Sequence, residues 1–261
     1  MKKVLIATEK PFAPEALKKI SKVIRKAGHE VILLEDYRSK AELLGALAGV
    51  HAMIVRSDVI DADVMAAAPD LEIVVRAGAG YDNVDCDYAR MHRIVVMNTP
   101  GQNANAVAEL AIGLAIYGTR EMFSGKMGRE LRQRTLGLHG FGYVARNVFR
   151  IARSLGMKVI VYTRHSREAA AAIGLKVAHS LEDLYSRSDV VSIHVPARGE
   201  HIASVSYPVL RELKKGAVIV NTARKEVVNE DDLIRFMEER NDVKYLTDVE
   251  PAQKERFMEK F

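Results

Sequence analysis

The stretch Thr135-Leu-Gly-Leu-His139-Gly140-Phe-Gly142-Tyr-Val-Ala145, continued by Arg146–Leu155, Gly156 and Lys158–Thr163, reads as strand, glycine turn, helix and second strand in that order. A glycine-rich turn is common by itself, so the flanking pattern has to carry the inference. Leu136 and Leu138 lead into the turn on an apolar run. Val144, Val148, Ile151, Ala152 and Leu155 then recur at helical spacing, and Gly156 suits a left-handed helix cap. Gly140 permits the tight turn. Gly142 lets backbone approach a pyrophosphate, whose charge the unpaired amides at the helix start would favour. Tyr143 and Val144 open that helix, and Ala145 replaces a third glycine while remaining small enough for helix to pack on strand. The unit points to dinucleotide binding rather than to an empty α/β turn.

Which dinucleotide depends on the residue about 20 positions beyond the glycines, where an acidic side chain would accept hydrogen bonds from the ribose hydroxyls of NAD. Thr163 stands there instead. It is followed by Arg164, His165, Ser166 and Arg167, which offer positive charge and hydroxyl donors without a carboxylate to repel a phosphate. This favours NADP over NAD, with a solvated basic loop as the alternative.

At 261 residues, 48% hydrophobic and 28% charged, the chain exceeds one ordinary domain and has ample apolar material for two cores. No apolar run approaches the roughly 20 residues of a membrane span. The amino terminus enters a strand-like Lys3–Ala7 without a signal-peptide pattern, so a cytoplasmic protein with no membrane partner is expected. A single cysteine, Cys86, excludes an internal disulfide and fits a reduced compartment. The net charge of +5 is spread along the chain rather than gathered in one basic run; it suits anionic small molecules and argues against nucleic acid. The eight histidines are scattered without metal-ligand spacing, so no metal is expected.

Outward from the glycine unit, short apolar runs alternate with helical ones. In the first half Val4–Ala7, Val31–Leu34, Ala52–Val55, Ile73–Val75 and Ile94–Met97 read as strands, with helices over Pro14–Ala27 and near Ala41–Leu47. Thr99-Pro-Gly-Gln-Asn103 breaks the pattern, and a long apolar helix over Ala106–Thr119 leads out of it. In the second half Val190–His194, Ala217–Asn221 and Tyr245–Asp248 read as strands, with helices near Leu181–Ser186, Pro208–Lys214 and Asp231–Glu239. Connections this short demand helical crossovers between parallel neighbours, so two doubly wound parallel sheets are expected. Ligands in such sheets sit beyond the carboxyl ends of the strands. Arg56-Ser57-Asp58, Arg76-Ala-Gly78-Ala79-Gly80, His194-Val195-Pro196, Thr222-Ala223-Arg224 and Asp248 fall there, and together they would outline a cleft between two domains.

Several of these segments carry a family resemblance. Arg76-Ala-Gly-Ala-Gly-Tyr-Asp-Asn-Val-Asp85, Asn98-Thr-Pro-Gly-Gln-Asn103, Ala106-Val-Ala-Glu109, Gly140-Phe-Gly142, His194-Val-Pro196 and Val220-Asn-Thr-Ala-Arg224 run in the same order as in the D-specific 2-hydroxyacid dehydrogenases. The chain resembles most closely the short phosphoglycerate-oxidising members, which lack a regulatory domain. The resemblance implies a flavodoxin-like substrate domain over 1–98 and a Rossmann NAD(P)-binding domain from 99 to 261. It also implies hydride transfer between the nicotinamide C4 and the C2 of a small 2-hydroxy or 2-oxo acid. By residue, it implies that Arg224 orients the carboxylate and polarises the carbonyl oxygen, while backbone amides around Gly78 and Ala79 hold the carboxylate. Arg56 and Ser57 would meet a distal phosphate. Asp248 would bind the nicotinamide carboxamide, and His194, Val195 and Pro196 would line the cofactor cleft beside Thr222 and Ala223. The helix Ala106–Thr119 lies where the family forms homodimers.

The chain departs from the family pattern in three ways. Lys225 replaces the usual glycine after the arginine; the usual acid after the last strand has no clear counterpart among Glu250, Gln253 and Glu255; and the sequence stops at Phe261, before the family's acid/base loop and returning helix. A D-3-phosphoglycerate dehydrogenase of serine synthesis, a glyoxylate or hydroxypyruvate reductase using NADPH, and a nucleotide-binding regulator all remain open on these residues.

Overall fold

Each short apolar run of the first half becomes a strand of one parallel sheet. The computed structural model describes residues 1–260, and they fall into two compact units, Met1–Asn103 and the chain from Ala104 onward. In the first unit the strands are β1 (Lys3–Thr8), β2 (Glu30–Glu35), β3 (Ala52–Val55), β4 (Ile73–Arg76) and β5 (Val95–Met97). Their order is β2-β1-β3-β4-β5 and every pair is parallel. The order reverses between β1 and β3, the switch point of a flavodoxin-like sheet.

The connecting helices α1 (Pro14–Lys26), α2 (Lys40–Gly45), α3 (Ala62–Ala66) and α4 (Cys86–Met91) are delimited by local chemistry. Pro14 opens α1, and Gly28 follows its end in the left-handed region at φ 78°. Ser39, Asp61 and Asp85 cap the three short helices by accepting the amides of Glu42, Val64 and Tyr88. Leu5, Ala7, Met53, Val55 and Val74 pack with Leu43, Val64, Met65 and Ala89 on one face of the sheet. On the other face Val4, Ile6 and Ile24 gather Phe12, Leu17, Ile20 and Ile54. The first unit runs to Asn103, and the Thr99 amide donates to the Gly78 carbonyl.

In the second unit, α5 (Ala104–Thr119) precedes a sheet built from β6 (Thr135–His139), β7 (Lys158–Tyr162), β8 (Lys176–Val177), β9 (Val190–Ile193), β10 (Val218–Asn221) and β11 (Lys244–Thr247). The order β11-β10-β9-β6-β7-β8 is that of a Rossmann sheet, reversing between β6 and β9. The helices α6 (Tyr143–Ser154), α7 (Arg167–Ala172), α8 (Leu181–Arg187), α9 (Tyr207–Leu210), α10 (Glu230–Glu239) and α11 (Lys254–Lys260) complete it. α5 lies close on β10 and β11: a Cβ on Gly118 would stand 2.7 Å from Val218 and 2.8 Å from Leu246. The expected helix over Pro208–Lys214 is a single turn, with Pro208 in its first turn and Arg211 as its end. Among the described residues no helix is long and apolar enough to cross a membrane.

Candidate functional site

The site in the second unit is built on the switch point between β6 and β9. Gly140 follows β6 with φ 99°, and its amide donates to the Tyr162 carbonyl at the end of β7. A Cβ there would lie 2.5 Å from the His194 carbonyl oxygen and 2.8 Å from the Val195 side chain. Only glycine fits both this dihedral angle and this approach. His194, Val195 and Pro196 are thereby brought against the glycine turn. The backbone link is completed by the His194 amide, which donates to the His139 carbonyl at 2.8 Å.

Gly142 caps α6 without a side-chain hydrogen bond, and a Cβ on it would meet nothing within 4 Å. α6 has no acidic residue in its first turn and no side-chain cap, which leaves its positive end open to an anion. Tyr143 is exposed at that end, while Val144 packs on the core and Ala145 is fully buried where α6 meets the sheet. An open glycine cap, a bare helix start and a neighbouring loop with a buried unpartnered hydroxyl, that of Thr222, form a cradle that fits a dinucleotide.

Arg224 is positioned by a residue whose role the sequence concealed. The fully buried Asn221 at the end of β10 donates from Nδ2 to the Arg224 carbonyl at 3.1 Å and to the Tyr245 hydroxyl at 3.0 Å, and its Oδ1 accepts the Ala223 amide at 3.0 Å. The Arg224 guanidinium donates to the Ala223 carbonyl at 2.8 Å. Thr222, Ala223 and Arg224 are therefore a pinned loop at the carboxyl edge of the sheet. Asp248 follows β11 at the same edge and is exposed.

The buried His139 and the half-buried His194 lie at the carboxyl ends of β6 and β9. His139 is 1% exposed, and its Nδ1 has no partner. Burial, reinforced by His201, His194 and Arg164, pushes it down to about 3. Burial likewise pushes His194 down to about 3, and its Nε2 lies 2.8 Å from the Ser192 hydroxyl. Both rings are neutral near pH 7, so they add no positive charge under the glycine turn.

The end of β7 corrects one expectation. The loop Thr163-Arg164-His165-Ser166-Arg167 is not without a carboxylate. Thr163 is 8% exposed, and the Arg164 guanidinium is ion-paired through Nη1 with Glu200 and lies 2.9 Å from His201 Nε2 through Nη2. Glu200 and His201 belong to the 3-10 turn Gly199–His201 after β9. No local signal in the sequence joins that turn to Arg164.

In the first unit Arg56, Ser57, Gly78 and Ala79 lie at the carboxyl ends of β3 and β4. Arg56 Nη1 donates to the carbonyls of Lys10 and Pro11, each at 2.9 Å, and the guanidinium lies 5.5 Å from the Phe12 ring centre. It thus sits at the β1/β3 switch point, and Ser57 beside it is exposed. The buried Asp58 holds this corner by accepting the Glu9 amide, the Tyr37 hydroxyl and the Arg56 amide at 2.7, 2.8 and 3.0 Å. The Arg76 guanidinium occupies the space a side chain on Gly78 would need, and Arg76 Nε donates to the Arg56 carbonyl at 2.8 Å. Asn98 Nδ2 donates to the Ala79 carbonyl at 2.7 Å, which fixes the Gly78–Ala79 backbone from the end of β5. The Gly78 amide itself donates to Arg76 at 2.8 Å.

Residues 117–260 match the family model described as D-isomer specific 2-hydroxyacid dehydrogenase, NAD binding domain. The chain is 36% identical over 243 residues to the D-3-phosphoglycerate dehydrogenase of Archaeoglobus fulgidus; the match covers 87% of this chain and 45% of that protein. It is 34% identical over 218 residues to the hydroxypyruvate reductase of Thermotoga maritima, covering 78% of this chain and 70% of that one. Its fold superposes with a TM-score of 0.90 on the NAD+-bound 3-phosphoglycerate dehydrogenase of Entamoeba histolytica, at 42% identity, covering 99% of this chain and 83% of that structure. The chain thus spans less than half the length of its archaeal relative.

Proposed function

The chain belongs to the D-isomer specific 2-hydroxyacid dehydrogenase family, and on that premise we propose that it is an NAD-dependent oxidoreductase acting on the CH–OH group of a small 2-hydroxy acid, D-3-phosphoglycerate, in serine biosynthesis. The observation that supports this most is the coupling of a side-chain-free cradle at Gly140 and Gly142 to an arginine loop pinned by Asn221 on the same sheet edge. Gly140, Gly142, Tyr143, Val144 and Ala145 would hold the pyrophosphate and the first turn of α6, with Thr163 and Arg164 at the adenosine end. His194, Val195, Pro196, Thr222, Ala223 and Asp248 would hold the nicotinamide end. When bound, the nicotinamide supplies the hydride acceptor for C2 of the substrate.

This chain's own residues bind and orient. Arg224 presents a fixed planar donor to the carboxylate and to the oxygen on C2, which strengthens as that oxygen gains charge in the reducing direction. With the Gly78 amide donating to the Arg76 carbonyl, the Ala79 amide is the backbone donor for the carboxylate at this turn, and Arg56 with Ser57 offers charge and a hydroxyl to the distal phosphate. Arg56 supports the phosphorylated substrate because its guanidinium is anchored on two carbonyls at a switch point, where α/β sheets place ligands. NADP is the alternative cofactor to which Thr163 and Arg164 point, but the Arg164–Glu200 pair favours NAD.

Reduction of hydroxypyruvate or glyoxylate is the second reading, supported by the likeness to the Thermotoga maritima enzyme. Absorbance at the NADH band with D-3-phosphoglycerate, hydroxypyruvate and glyoxylate decides between them. Turnover of phosphoglycerate is expected. Arg56→Ala should raise its KM about tenfold, the scale of one charge-assisted pair, while leaving hydroxypyruvate turnover alone. Nucleotide binding with no turnover of any of the three acids would favour a regulator. A homodimer through α5 fits the half-exposed Leu110, Ile116 and Tyr117, with Phe123 beyond them, and sedimentation tests it. The single cysteine suits the cytoplasm.

A further inference from the structure

We infer that Glu200 sets the choice of dinucleotide: it supplies, from the turn after β9, the carboxylate that the end of β7 lacks, and it closes the Arg164 guanidinium to a ribose 2′-phosphate. The inference rests on the dinucleotide reading above and names the selectivity of that same site. In sheets of this topology an acid at the end of the second strand accepts the ribose hydroxyls of NAD, whereas a nearby arginine receives the phosphate of NADP. This chain has Thr163 and Arg164 there, an arrangement that by itself would suit NADP.

Three observations turn it the other way. Arg164 has both terminal nitrogens engaged, Nη1 by the Glu200 carboxylate and Nη2 by His201 Nε2 at 2.9 Å. Arginine is only a donor, so His201 accepts with a neutral ring. Burial and the positive charges of Arg164, His165 and Arg198 hold His201 below its usual range, which keeps it in that state. The two members of the ion pair also differ in exposure: the Arg164 side chain is 27% exposed and that of Glu200 68%. A ligand arriving from solvent therefore meets the carboxylate before the guanidinium. A ribose diol can donate to that carboxylate, whereas a phosphate is repelled by it and finds the arginine already paired. With Glu200 neutralised, the Arg164 guanidinium would become a phosphate receptor.

Binding titrations of NADH and NADPH to the wild-type chain, Glu200→Gln and Glu200→Gln/Arg164→Ala test this without relying on turnover. Wild type should bind NADH more tightly than NADPH. Glu200→Gln should tighten NADPH by about tenfold, the effect of removing one like charge at a partly solvated site, and weaken NADH by about threefold, because the ribose diol loses a charged acceptor. Adding Arg164→Ala should erase the gain, since the arginine is its source. Adenosine 2′,5′-bisphosphate, competing against AMP, should show the same reversal at the adenosine end alone. An unchanged NADPH-to-NADH ratio in Glu200→Gln, or a wild type that prefers NADPH, overturns the inference while leaving the dinucleotide reading intact. A wild-type chain that binds neither nucleotide overturns the dinucleotide reading and the inference with it.

Discussion

Both sheets are parallel and doubly wound, yet they are covered differently. In the second unit every residue of β9 and β10 is buried, with α5 and α6 packed on one face and α8, α9 and α10 contributing to the cluster on the other. In the first unit α1 covers only part of its face, and on β5 Val95 and Met97 are each 53% exposed. Parallel sheets ordinarily need helices on both faces. The contrast teaches where each sheet concentrates its constraints. The second concentrates them in a glycine turn, a pinned arginine loop and the paired strand ends at His139 and His194, whereas the edge of the first leaves apolar side chains half exposed.

The largest break in that contrast should come from Gly140→Ala. The dihedral angle alone disfavours any side chain, and the new Cβ would stand 2.5 Å from backbone, which cannot yield like the tip of a flexible side chain. A cost of about 3 kcal/mol or more and loss of nucleotide binding are expected, read by denaturant unfolding and NADH titration. Retention of both within experimental error would show that the β6–β9 crevice is looser than its geometry.

Next in size is Asn221→Ala, which orphans the Ala223 amide and removes a side-chain restraint on the Arg224 carbonyl. About 2 kcal/mol is expected, with kcat falling more than KM rises, because the loop that presents Arg224 loses its fixed backbone while the cradle at Gly140 is untouched. Thermal unfolding and steady-state kinetics check it.

Acid should separate the units further. His139 and His194 stay neutral in the fold down to about 3, whereas the unfolded chain takes up their protons near 6.5. Their contribution is therefore complete above about pH 6.5 and is lost as pH falls toward 3, each at about 1.4 kcal/mol per pH unit. Hydrogen exchange against pH should show the β6–β9 core opening more readily through that window. His139→Gln should make the slope shallower, because one of the protons that the unfolded chain takes up is removed; an unchanged slope would mean that the fold does not hold the His139 ring neutral.

The same contrast explains what the sequence revealed. The β6-α6-β7 unit was legible because each signal is local: apolar spacing, a glycine at φ 99°, another at φ 75° after the helix. β3 was legible to its ends, since Ala52–Val55 alternates half-buried with buried residues. The helices α3 and α4 were not, because five or six residues carry too little periodicity and only Asp61 and Asp85 mark their starts. At the candidate site, local pattern points to Gly140, Gly142 and Arg224, while it does not reveal the partners that fix or occupy charged groups. Asn221 reaches Tyr245 on another strand, and Glu200 reaches Arg164 from beyond β9. Such contacts exist only once the sheet order is set.

The smallest effect sharpens the comparison from the other side. Val95→Thr and Met97→Gln exchange half-exposed apolar groups on an edge strand for polar ones of similar size, so each should change unfolding free energy by no more than about 0.5 kcal/mol. The β-branched shape at position 95 is kept, and neither side chain has a buried hydrogen bond to lose. If both substitutions are neutral, the edge of the first sheet is bare in solution, and the difference between the two sheets is a property of the folded chain. If either costs about 1 kcal/mol or more, the apolar face is covered in solution. A concentration-dependent loss would then identify a second copy as the cover, and a concentration-independent loss would identify a segment of the same protein.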